Sequence, residues 1–206
     1  MFKPHPILLV LALGLFVGLV PPASAARDTT TILADLIRPE NLATLRSRGA
    51  NPRIQKCVYW LATARNQNDD AVRLVEQAVR QAGYTNVLAA QLTRDALLRN
   101  LDIAGKLGCL DADGLSEMRK GNSPTIRQGP YTGQELSVDH IIPRAVCVAL
   151  DNVIANLELM PQRLNSSKGD RVGQRQLALA QTLHRAGLLT PDGVHKIQVA
   201  ALRSST

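Results

Sequence analysis

Apolar positions between Thr29 and Leu110 recur at three- and four-residue intervals, the period of helices that bury one face. Ile32, Leu33, Leu36, Ile37, Leu42 and Leu45 predict a helix over 31–48, broken at Pro39 because the proline ring blocks continuation. Ile54, Cys57, Val58, Trp60 and Leu61 predict a second over 52–66. Asp69-Asp70 puts negative charge where a helix dipole favours it, and Val72, Val75, Ala78 and Val79 share a face of a third helix, 71–82, closed by Gly83. Leu88, Leu92, Leu97 and Leu101 carry a fourth from about 86 to 106 that stops near Gly108. The region 26–118 therefore reads as a helical bundle.

The period then changes. Met118 to Gly133 is turn-rich, with Gly121, Pro124, Gly129, Pro130 and Gly133, and Thr125-Ile126-Arg127 fits a short extended segment. Leu136, Val138, Ile141 and Ile142 surround Asp139 and His140 in a predicted strand over 135–142, ended by Pro143, which has no N–H for a ladder. A second strand is predicted over 153–160 after the turn residues Asp151-Asn152, the two forming a hairpin with a long connection. After Pro161 the pattern turns helical, opening with Asn165, Ser166, Ser167 and Lys168 and continuing through Val172, Leu177, Leu179 and Leu183. Thr190 and Pro191 read as N-cap and first residue of a last helix through Leu202. The expected fold class is α+β, mostly helical, with two strands and a helix wrapped around a polar cluster over 119–180 and a helical segment, 181–206, packed on it.

That cluster has a definable chemistry. A carboxylate, Asp139, and a carboxamide, Asn165, suit a hard cation such as Mg²⁺, which takes oxygen ligands and keeps several waters. His140, in its neutral form, is a candidate general base. Lys168 follows Asn165 on the same helical face and offsets phosphate charge. Neighbours on a strand point to opposite faces, so Asp139 and His140 serve one site where the strand end bends or where they act from two sides of a cleft.

Asp139-His140 with Ile141-Ile142-Pro143, then Asn156-Leu157, then Asn165 with Lys168, resembles the HNH nuclease family, whose core is a ββα-metal fold. The resemblance covers 121–176. It implies that Asp139 and Asn165 are metal ligands, that His140 is the general base, and that Asn156 holds the loop or orients that base. The expected metal is Mg²⁺, with Mn²⁺ as the alternative. Some members carry two Cys-x-x-Cys pairs for structural zinc; Cys57, Cys109 and Cys147 form none, and no structural zinc is expected. Arg119, Lys120, Arg127, Arg171 and Arg175 are further candidates for the phosphate backbone, with solvated surface charge as the other reading.

Composition adds less. A formal net charge of +7 is compatible with a nucleic-acid partner and is also ordinary for a folded domain. Aromatic residues are 3 % of the chain, so Tyr59 and Trp60 are expected in packing rather than base stacking. Residues 1–25 combine Lys3, an apolar run from Ile7 to Val20 and Ala23-Ser24-Ala25, the pattern of a cleaved export signal. The run is shorter than the ~20 residues that span a bilayer, so no stable membrane span is expected after processing. An oxidising destination, periplasmic or secreted, makes a Cys57–Cys109 disulfide the favoured pairing, with other pairings and three buried thiols as alternatives. His184 and His195 lie outside the cluster. The expected activity is metal-dependent endonucleolytic hydrolysis of nucleic acid, DNA rather than RNA. The competing classes are an exported DNA-uptake protein that binds without cutting and a secreted toxin or effector nuclease with a protein partner.

Overall fold

The structure, a computed structural model, describes residues 28–43 and 49–204; the predicted export signal at 1–25 lies outside them. Mostly helical, with one two-stranded antiparallel sheet among the described residues, it is an α+β protein.

Helix α1, Thr29–Ile37, starts at Asp28, whose carboxylate accepts the Thr31 N–H at 2.7 Å. It stops before Pro39, and the chain resumes as α2, Pro39–Ala43, as the proline break requires. Residues 44–48 of the expected 31–48 helix lie outside the described residues. Helices α3, Ala50–Asn66, α4, Ala71–Gln81, and α5, Val87–Lys106, stand where the apolar period placed them. Asp70 and Asn86 cap α4 and α5 by accepting the Val72 and Leu88 N–H groups, both at 2.9 Å.

Three segments depart from expectation. A further helix, α6, covers Ala112–Lys120, where the turn-rich joint was placed from Met118 onward. Asp111 caps it through the Gly114 N–H at 2.7 Å, and Gly121 ends it at φ +89°, a left-handed conformation that favours glycine. Met118, the expected edge of the helical region, is fully buried in α6. The second strand begins later than predicted, because Ile154–Asn156 is a 3-10 turn closed by the Asn156 N–H on Val153 O at 2.8 Å. The helical stretch after Pro161 is two helices, α7, Gln162–Lys168, and α8, Gln174–Arg185, parted at Gly169. The last helix, α9, is Pro191–Ser204, and the Thr190 hydroxyl accepts the Gly193 N–H at 3.2 Å.

Strand β1, Leu136–His140, pairs with β2, Leu157–Pro161, so that Asp139 stands opposite Glu158 and His140 opposite Leu157. Thr125 adds an isolated bridge to Glu135 where the short extended segment was expected. Two strands cannot satisfy all their own backbone groups, and helices supply the missing partners. Gln55 of α3 donates to Leu136 O at 2.8 Å; Asn100 of α5 donates to Leu157 O at 3.1 Å and accepts the Leu159 N–H at 2.6 Å. Leu136, Leu157 and Leu159 are buried in one cluster with α1, α3, α4 and α5, including Leu33, Ile54, Val75 and Leu97. A second cluster joins Ile142 and Leu150 of the inter-strand connection to Leu183 of α8 and Ile197 of α9.

Cys57, Cys109 and Cys147 are buried free thiols, so the expected Cys57–Cys109 disulfide is not formed. Cys57 is packed in the helical core, while the Cys109 thiol lies 3.6 Å from Thr125 O and 3.7 Å from Leu107 O. Tyr59 and Trp60 meet edge to face at 5.1 Å, partly buried against the core, in keeping with a packing role. No helix among the described residues is long and apolar enough to cross a membrane.

Candidate active site

The end of β1 and one face of α7 bring the side chains of Asp139, Asn165 and Lys168 together with the His140 backbone carbonyl, while the His140 side chain turns with Val138 to the other face of the strand. Asn165 and Lys168 lie one turn apart on α7, so both reach the same strand. The Asn165 amide donates to Ser137 Oγ and to Val138 O, each at 3.3 Å. The Lys168 ammonium donates to Asp139 Oδ2 and to His140 O, each at 2.5 Å. Asp139 is buried, 6 % exposed. Burial pushes its carboxyl above the ordinary aspartate range, against the opposing hydrogen bond and charge of Lys168.

His140 is held from the connection between the strands. Its Nε2 lies 2.9 Å from Asp151 O and 2.9 Å from Asp151 Oδ1. A carbonyl and an ionised carboxylate only accept, so Nε2 carries the proton and the lone pair of the neutral ring is on Nδ1. That is the tautomer of a general base whose orientation is fixed from behind. Arg144 Nε stands 3.3 Å from the other Asp151 oxygen. The sequence marks Asp151 only as a turn residue and gives Arg144 no pattern at all. The Asp-Asn pair does turn the chain, and the same carboxylate also serves the histidine.

Asn156 acts on this connection rather than on a reactant. Fully buried, it accepts the Ile142 N–H at 2.8 Å and donates to Ile142 O at 3.1 Å and Leu150 O at 3.3 Å. Its carboxamide thus ties the two ends of the connection, which fixes Asp151 relative to His140. The 3-10 turn in place of the predicted strand start is closed by the Asn156 N–H on Val153 O at 2.8 Å, while the Asn156 carbonyl still accepts the Ile141 N–H at 2.8 Å.

Four of the remaining five predicted cations are engaged elsewhere. Lys120 pairs with Glu117 at 2.7 Å, and Arg127 with Asp111 and Asp113 at 3.4 Å, while Arg119 is exposed at the end of α6. Arg171 closes the end of α7 by donating to Ser167 O at 2.7 Å and Lys168 O at 3.1 Å. Arg175 donates to both oxygens of buried Glu158, at 2.9 and 2.8 Å. Arg99 approaches that carboxylate at 3.3 Å without hydrogen-bond alignment of its Nε. An Arg99–Glu158–Arg175 group therefore ties α5, β2 and α8 together directly across the ladder from Asp139.

A cleft of about 380 Å³ opens beside His140, lined by Val138, Arg144 and Asp151 on one side and by Ala50, Asn51 and Pro52 on the other. The first turn of α3, the positive end of its dipole, forms that second wall. Asn51 also donates to Gly121 O at 3.3 Å and accepts from Ser123 Oγ at 3.3 Å, bringing the start of the turn-rich joint to the rim.

The oxygens shown at the Asp139 corner are its carboxylate and the His140 carbonyl, the hard donor chemistry that Mg²⁺ takes, and Asn165 beside them faces the strand with its amide nitrogen. Two of these oxygens already surround a cation, the Lys168 ammonium. Among the described residues no group of three or more His, Cys, Asp or Glu side chains is placed to hold a metal ion, so a cation here relies on Asp139, Asn165 and water. The residues fit such an ion once Lys168 turns away. No known protein family, curated protein or solved structure matches the chain.

Proposed function

We propose that the protein is a metal-dependent endonuclease of the HNH type, cutting phosphodiester bonds of nucleic acid, DNA in preference to RNA. The observation that carries this reading is His140 with its Nε2 proton held by Asp151, one residue along β1 from the Asp139 carboxylate that Lys168 engages.

In this reading His140 Nδ1 takes a proton from the attacking water, while Asp151 steadies the imidazolium that forms. Asp139 and Asn165 would hold Mg²⁺, or Mn²⁺ in its place, and the chemistry such an ion would supply is charge neutralisation at the phosphate. Lys168 and Arg144 are the cations that would meet the phosphate, and Asn156 keeps the connection in register. The export-signal pattern at 1–25 supports a destination outside the cytoplasm for this enzyme.

The test incubates the protein with supercoiled plasmid and, separately, structured RNA, in Mg²⁺ or EDTA, beside His140→Ala and Asp151→Ala. Metal-dependent nicking should fall by about 10²–10⁴-fold in His140→Ala, the usual contribution of a general base. Asp151→Ala should lose less, because the backbone carbonyl still accepts from Nε2. Binding without cutting in Mg²⁺, Mn²⁺ and Ca²⁺ would replace the enzyme by a nucleic-acid-binding protein. The Lys168 ammonium on the metal-binding oxygen is the observation that favours that second reading.

A further inference from the structure

We propose that Lys168 is a tethered cation that occupies the metal position on Asp139 until a phosphodiester draws it away, so that metal and nucleic acid bind cooperatively. The inference rests on the metal-dependent reading of the site and names how that site is regulated.

Three features carry it. The Lys168 ammonium uses the oxygen a metal needs: Nζ is 2.5 Å from Asp139 Oδ2 and 2.5 Å from His140 O. A divalent ion at the ~2.1 Å that Mg²⁺ requires on that oxygen would lie within about 5 Å of the ammonium, so the two cations exclude each other. The pair is also withdrawn from water, with side-chain exposures of 18 % for Lys168 and 7 % for Asp139. Removing the lysine alone would leave a buried carboxylate without a counter-charge, which is costly, so it leaves only when another cation replaces it. Finally, the backbone under Lys168 is pinned while the side chain is long and rotatable. Lys168 is the last residue of α7, Gly169 follows at φ +58°, and Arg171 holds Lys168 O at 3.1 Å. The four-carbon stem can therefore redirect the charge without moving the helix.

The exchange needs two ligands. The metal must satisfy Asp139, and a phosphate must satisfy Lys168, which otherwise remains the nearest competitor for the same oxygen. By linkage, each ligand then strengthens the other to the same degree. A free protein that binds metal weakly spends its cation site only on substrate.

The experiment titrates Mn²⁺, followed by its EPR signal, into the His140→Ala protein with and without a short DNA duplex; that background removes cleavage and keeps the His140 carbonyl. The same titrations are made after adding Lys168→Met. We expect Lys168→Met to tighten Mn²⁺ binding by about tenfold, an ordinary size for coupling between sites, and to shrink the further tightening caused by duplex. Unchanged or weaker Mn²⁺ binding in a folded Lys168→Met protein, or an undiminished duplex effect, overturns the competition while leaving the metal site standing. No Mn²⁺ binding by either protein, with or without duplex, overturns the metal-dependent function itself. Lys168→Gln, which still donates a hydrogen bond to Asp139 but carries no charge, gives the same comparison if the methionine variant does not fold.

Discussion

Asp151 presents two acceptors to one imidazole nitrogen, and nothing in its sequence neighbourhood distinguishes that carboxylate from an ordinary turn residue. Asp139 and His140 were legible because they sit between apolar strand residues and a terminating proline. Asn165 and Lys168 were legible because three-residue spacing puts them on one helical face. Whether a cysteine pairs is decided by distance and direction in space, which spacing along the chain does not contain. Cys57 is instead a buried thiol, and burial pushes it from an ordinary value of 9.0 up to about 12, partly offset by Arg53. The unfolded thiol ionises near its ordinary value, so stability that is full below that pH is lost as pH rises towards the folded value. The linked slope is about 1.4 kcal/mol per pH unit within that window. Urea unfolding between pH 9.0 and about 11 should therefore show a shallower loss of stability in Cys57→Ala than in the wild-type protein, whatever constant offset the smaller side chain introduces. Parallel pH profiles for the two proteins would contradict this.

Helices α3, α4 and α5 formed where period and capping residues placed them, because both signals are local to the helix. Helix α6 carried the same kind of signal, Asp111 before it and Gly121 after Arg119-Lys120, yet its short apolar face, with Met118 buried, offers little period to read. The sheet is different, since two strands this short depend on partners from elsewhere. Asn100 bonds Leu157 O and the Leu159 N–H from a helix more than fifty residues away in sequence. Asn100→Leu would keep the volume and remove both bonds, leaving the buried Leu159 N–H without a partner. We expect a loss of about 2–4 kcal/mol, the cost of orphaning one or two buried backbone groups. The denaturant midpoint measures it, and an unshifted midpoint would mean that the carboxamide is dispensable to β2.

The two halves of the chain share one interior. Leu136, Leu157 and Leu159 of the sheet are buried with Leu33, Ile54 and Leu97, and the boundary drawn in sequence at 118–119 falls inside α6. A fragment of residues 119–206 would expose those leucines and strip the sheet of Gln55 and Asn100. It should therefore lack cooperative thermal unfolding and dispersed amide NMR signals, while the whole chain shows both. A fragment with a sharp transition of its own would establish the C-terminal half as an independent domain. The cleft beside His140 makes the same point about function, since one wall is the first turn of α3 and the other is the end of β1 with Asp151.

From the order of residues alone came the helical class of the first half, the two strands, and the placing of Asp139 and His140 on a strand and of Asn165 and Lys168 on a helix, because each depends on periodicity, capping or short spacing within one element. The partners of those residues came from folding: Asp151 behind His140, Lys168 rather than water on Asp139, Asn156 across the connection, and Gln55 and Asn100 on the sheet. These are contacts between segments distant along the chain, made when buried polar groups take the nearest available partner, and no local pattern encodes which partner that will be.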